Sequence, residues 1–171
     1  TGPSEADIFR PKFYRSGETC SLLGSLDGIA FDIKDLGSEI GAASGFKMAY
    51  AALTKGTNAL MVACLLAAES MDMLDPYLEE LQDSQPELLK RASVVPRLPS
   101  DAARWVREME EIQACLRANT LPDGFHQGAA DIMKLLAHSP FGNETGRRKQ
   151  THRDNRETIA VIGHDRRSRS F

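Results

Sequence analysis

The chain has 171 residues, enough for a domain with a buried core. Its 42% hydrophobic and 26% charged residues are those of an ordinary globular protein, and a net charge of -3 gives no electrostatic reason to expect nucleic acid as a partner. The best uninterrupted apolar run, 59–68, is about half of the roughly 20 residues a bilayer span needs, so no membrane partner is expected, and no signal-peptide pattern opens the sequence.

Taken in chain order, residues 1–38 are the only part with strand character. Phe13-Tyr14-Arg15-Ser16, closed by Gly17, reads as a short strand, and Ile29-Ala30-Phe31-Asp32-Ile33 reads as a second between Gly28 and Gly37. Residues 18–26 between them fit a short helix. Such a unit cannot bury both faces of a sheet, so it is expected to belong to a larger one.

Residues 39–145 read as a helical domain. Ala42 to about Ser70 carries no proline and is rich in Ala, Leu and Met, which predicts one long helix. It is apolar around most of its circumference and is expected to lie buried between other helices. Asp75-Pro76 opens a second helix, with Asp75 as its expected cap. Ser84-Gln85-Pro86-Glu87 has capping-box spacing for a third, and Val94 to Pro99 forms a connector that proline keeps out of helix. Ser100 is the expected cap of a fourth helix to about Ala118, with Trp105, Met109, Ile112 and Leu116 on one face. Leu121-Pro122-Asp123-Gly124 breaks the chain before a fifth helix, Phe125 to about His138, with Ile132, Met133, Leu135 and Leu136 inward. Residues 146–171 are dense in charge, with only Ile159-Ala160-Val161-Ile162 apolar, and read as a disordered basic tail.

Cys20, Cys64 and Cys115 are odd in number and form no C-x-x-C pair. That argues against a zinc site or a disulfide framework and for reducing, cytoplasmic surroundings; no metal is expected. Cys64 and Cys115 fall in helical apolar patterns and are expected to be small buried hydrophobes.

The chemistry concentrates at the start of the long helix. Gly41 and Gly45 flank Ala42-Ala43-Ser44, and glycines there leave room for a ligand or another backbone. The free N–H groups of a helix start favour an anion. Lys47, Ala51, Thr54 and Asn58 fall on one side of the helix at about 100° per residue, making a polar stripe on an apolar helix. A lysine held against apolar neighbours has its ammonium form disfavoured and becomes a usable base near neutral pH. From spacing alone, a surface lysine whose stem lies along the helix is the better fit. His126, in the first turn of the fifth helix, reads either as a site residue or as a locally hydrogen-bonded one. Glu108 and Glu111 fit ordinary surface ion pairs.

Gly41-Ala42-Ala43-Ser44-Gly45-Phe46-Lys47 resembles the G-x-x-x-G-x-K signature of the β-hydroxyacid dehydrogenases, the family of 3-hydroxyisobutyrate and 6-phosphogluconate dehydrogenases. Residues 47–57, 105–112 and 124–131 resemble a less characterised 6-phosphogluconate-dehydrogenase-like subgroup of oxidoreductases. The resemblance, over about Phe13 to Thr145, implies a mainly α fold: a helical bundle around a long central helix, preceded by a small α/β remnant of a Rossmann domain. It implies NAD(P) as cofactor, a small 3-hydroxyacid as substrate and a homodimer through the helical half. Lys47 would take the proton of the substrate hydroxyl; Gly41, Gly45, Tyr50, Thr54, Asn58 and His126 would shape the substrate site.

Departures from the pattern are specific. The family's His or Asn three residues after the lysine, and Asn four after, are Tyr50 and Ala51 here, and Glu110-Glu111 stand where many members have a Lys-Asp pair. A lost cation there argues against phosphorylated substrates. No G-x-G-x-x-G follows a strand, and the chain begins at Thr1 in what reads as a loop, so NAD(P) is expected to be bound mainly by an N-terminal domain that this fragment lacks. The rival reading is a non-enzymatic helical dimerisation or binding module derived from the same fold.

Overall fold

The computed structural model describes residues 10–18, 24–144 and 153–169. The chain forms two compact units, 1–50 and 51–171, so the division falls inside the long helix and not at the 38/39 boundary expected from sequence.

In the first unit, strands β1 (Lys12–Arg15) and β2 (Asp32–Asp35) pair in parallel, with Lys12 opposite Asp32 and Arg15 opposite Asp35. β2 starts three residues later than expected. Gly28, at φ +72°, accommodates a turn, and Ile29 and Ala30 follow in it with their N–H groups on the Leu26 carbonyl. Ile29 is consequently exposed. Of the expected helix at 18–26, residues 24–26 form a 3-10 turn and 19–23 lie outside the described residues. Phe13 stacks on Phe31 with ring centroids 5.7 Å apart. No described residue of this unit is buried, an unusual state for a parallel pair, which normally has both faces covered.

Helix α1 (Ala42–Ser70) opens in the first unit and continues through the second, with the bounds expected from sequence. The second unit adds α2 (Leu74–Ser84), α3 (Pro86–Ala92), a 3-10 turn at Val95–Arg97, α4 (Pro99–Ala118), α5 (Gly124–His138) and α6 (Asn155–Ser168). α4 and α5, joined by a short loop, make the most extensive helix–helix contact. The core is built from Val62 and Leu65 of α1, Met109 and Ile112 of α4, Met133 and Leu136 of α5, and Ile159 and Ile162 of α6, all buried.

α1 is not buried all round as its composition suggested. Ala59, Val62, Leu65 and Leu66 face the core at helical spacing, while Leu53 and Leu60 are exposed. By length and composition α1 could cross a membrane, which the count of uninterrupted apolar residues missed, but a core helix meets the same criterion. The caps also differ from expectation. Ser84 still belongs to α2 and donates its hydroxyl to the Glu80 carbonyl, so Gln85 caps α3 without a side-chain bond. Asp75 lies in the first turn of α2 behind Met73, and Ser100 lies inside α4, bonding back to the Arg97 carbonyl. Cys64 and Cys115 are half-buried free thiols, and Cys20 lies outside the described residues. Burial, helped by Cys64, holds the Tyr77 phenol above its ordinary range.

The expected disordered tail is corrected over 155–168, which form α6. Asp154 accepts from the Glu157 N–H at 2.9 Å, a capping-box start three residues before its Glu. Ile159 and Ile162 then bury completely. Arg153 anchors the entry, with its Nη1 and Nη2 donating to Glu144 at 2.7 and 2.8 Å and its Cζ 3.6 Å from the Phe141 ring centroid. Residues 145–152 and 170–171 lie outside the described residues.

Candidate functional site: the opening of the long helix

The turn into α1 is set by Gly41, whose φ of +97° lies in the region that glycine occupies without strain. One free helix N–H is already satisfied, because Ala43 donates to the Ser16 hydroxyl oxygen at 3.0 Å. Ser16 follows β1, and Gly17 beside it donates to the Gly37 carbonyl at 2.9 Å, tying the ends of the two strands together. Ser16 was not singled out from sequence. Its signal is a hydroxyl residue directly before a glycine at a strand end, visible only once the strand pairing is known.

Around Gly41 and Gly45 the space is open: a Cβ at either position would meet no described atom within 4 Å. Neither glycine is demanded by packing within the described residues. Phe46 stacks on Tyr14 with centroids 4.5 Å apart, which holds the first turn against β1. Lys47 is exposed, as in the surface-lysine alternative and not enclosed by apolar neighbours. Tyr50, one turn on and on the same side, is also exposed.

The remaining residues of the stripe belong to the second unit. Thr54 and Asn58 are half-buried, and the Thr54 hydroxyl donates to the Ala51 carbonyl at 3.4 Å within α1. Arg91 donates to the Thr54 carbonyl at 3.1 Å. His126 is buried, its Nε2 3.3 Å from the Ala52 carbonyl, and it packs over Gly56, where a Cβ would come within 3.3 Å of the same nitrogen. Gly56 was passed over in the sequence, where nothing marks which turn of an Ala-rich helix another ring will cross.

The acidic residues are engaged structurally. Glu108 pairs with Lys55, whose ammonium also sits 5.4 Å from the Trp105 ring centroid, and Glu111 pairs with Arg107 one turn back. Glu110 lies 3.4 Å from Lys134 of α5, so a cation does stand beside this position, supplied by another helix. Among the described residues no three His, Cys, Asp or Glu side chains come together as metal ligands.

Residues 68–136 match the family described as a domain of unknown function, DUF1932. No curated protein matches the chain significantly. Among solved structures, the chain is similar to a conserved hypothetical protein from Sinorhizobium meliloti 1021, at 21% identity and a TM-score of 0.72 over 90% of this chain and 51% of that one. It is also similar to the conserved protein MTH1747, described as revealing structural similarity with 3-hydroxyacid dehydrogenases, at 24% identity and a TM-score of 0.62 over 84% of this chain and 56% of that one. The chain spans about half the length of the solved structures it matches. At these identities the likeness shows the fold, which is mainly helical and of the kind found in MTH1747.

Proposed function

We propose that this chain is the catalytic-lysine half of an NAD(P)-dependent oxidoreductase acting on the CH–OH group of a 3-hydroxyacid. The observation that carries the reading is the opening of α1: an exposed Lys47 beside two glycines whose surrounding space the described chain leaves open, on a fold shared with MTH1747. In this reading Nζ of Lys47 accepts the proton of the substrate hydroxyl, and the Tyr50 hydroxyl replaces the family's carboxamide as donor to the substrate carboxylate.

The residues present do not make a dinucleotide site. Among the described residues no glycine-rich phosphate loop joins a strand to a helix, and no residue of the β1–β2 pair is buried. NAD(P) would therefore be held by residues other than these, with β1 and β2 as part of a larger parallel sheet. The test is an assay of several 3-hydroxyacids with NAD+ and NADP+, using this chain alone and joined to a dinucleotide-binding domain. Turnover only in the joined form, lost on Lys47→Ala, supports the reading. Turnover that survives Lys47→Ala, or turnover by the chain alone, defeats it.

A second reading, a helical dimerisation or binding module, is favoured by two observations. Leu53 and Leu60 of α1 are exposed, and Ala51 stands where the family has Asn. No turnover in the joined form, together with a stable dimer that Leu60→Glu dissociates, selects it.

A further inference from the structure

α5 and α6 enclose a cleft of about 630 Å³, a size typical of small-molecule sites. Its wall is apolar, formed by Ile132, Leu135 and Ile162, and its rim is charged. None of the residues weighed for the hydroxyacid site belongs to it.

The charges at the rim are unequal. Asp131 lies 3.6 Å from Lys134, and Asp165 lies 3.1 Å from Arg169, so each rim carboxylate already has a cation. Lys134 is further engaged by Glu110. Arg166 also lines the cleft, and among the described residues its guanidinium has no ion-pair partner and its buried Nε no hydrogen-bond acceptor. A guanidinium without an ion-pair partner at the edge of an apolar cleft is a favourable seat for an anionic group.

From this arrangement we propose that the α5–α6 cleft binds a free medium-chain monocarboxylate, with its hydrocarbon chain along Ile132, Leu135 and Ile162 and its carboxylate on Arg166. The planar fork of a guanidinium with no ion-pair partner among the described residues suits a carboxylate. The apolar wall has nothing to offer a small polar anion.

Calorimetric titration of the full chain with decanoate, decanol and acetate tests this, with no nicotinamide cofactor present. Decanoate is expected to saturate one site, decanol to bind about tenfold more weakly, and acetate not at all. Arg166→Gln is expected to weaken decanoate by about tenfold, bringing it level with decanol. Leu135→Trp, which fills the cleft, is expected to abolish both. The comparison of decanoate with decanol needs no variant, so it stands even where a substitution disturbs folding. Equal binding of the two by the unaltered chain, no binding of decanoate, or undiminished decanoate binding by a folded Arg166→Gln chain overturns the proposal. So does binding to phosphatidylglycerol vesicles without binding to monomeric decanoate, which would make this face a membrane contact.

Discussion

Arg167 grips both carboxylate oxygens of Glu69, each at 2.8 Å, and so fastens the last turn of α6 to the last turn of α1. The Glu69 carboxylate is only 12% exposed, and its partner holds the Arg167 guanidinium above its ordinary range. One turn earlier on α6, Gly163 passes so close that a Cβ there would fall on that carboxylate. Gly163→Ala therefore sets two effects against each other. Alanine favours helix by about 1 kcal/mol, but the nearly buried carboxylate must leave its bidentate partner, and the loss of that contact outweighs the gain. A net destabilisation is expected in the native background and a net stabilisation in a Glu69→Ala background. Urea unfolding reads both. The same sign in the two backgrounds would show that Gly163 does not serve this ion pair.

Docking of α6 should be a large part of the stability of the second unit. Ile159 and Ile162 are completely buried, so each change to Ala should cost about 2–4 kcal/mol by lost transfer and by the cavity left behind. The neighbouring Val161 is partly exposed, and Val161→Ala should cost well under half as much. Equal and negligible effects at all three positions would return the segment to a solvated tail.

The fold was legible where local pattern and tertiary role agree. The bounds of α1 followed from an unbroken Ala-, Leu- and Met-rich run, and α4 and α5 followed from apolar residues at three and four spacing. α6 was hidden because two buried isoleucines among arginines look too few for a core, although Asp154 and Glu157 carry a helix-start signal at the right spacing. Ser84 and Glu87 carry the same spacing without forming the cap, because α2 had not yet ended. At the candidate site, the glycines and Lys47 were singled out by their motif alone. The exposure of Lys47, the cap from Ser16 and the seating of His126 on Gly56 depend on which elements meet, and no spacing within one helix encodes that.

Acid should weaken the chain through two carboxylates in particular. The Gly37 N–H, with Arg15 beside it, holds Asp35 below the usual carboxylate range, and the bond from Arg117 does the same for Asp123. A depressed folded-state value means that stability is fully present above the unfolded value, near pH 4, and is lost as pH falls through the folded one. Asp35→Asn and Asp123→Asn should therefore each flatten the loss of stability below about pH 4 while leaving its shape at pH 6–8 unchanged. Thermal unfolding followed from pH 7 to pH 2 measures this. A steeper acid loss in either variant would contradict the assignment.

Lys47 and His126 should separate cleanly into a functional and a structural residue. Lys47 is exposed in the open first turn of α1, so Lys47→Ala should change unfolding free energy by less than about 0.5 kcal/mol. His126 is 8% exposed, its ring crosses Gly56 and its Nε2 lies 3.3 Å from the Ala52 carbonyl, which are the contacts of a packing residue. His126→Ala should destabilise by about 2 kcal/mol through the void and the lost contact. Part of that should return on adding Gly56→Ala, because the new methyl then occupies vacated space and gains helix propensity. Under the proposed dehydrogenase reading, Lys47→Ala in the joined form should lower kcat and leave stability alone, while His126→Ala should do the reverse at temperatures where the variant stays folded. A fall in kcat/KM for His126→Ala with unchanged unfolding would move His126 into the substrate site.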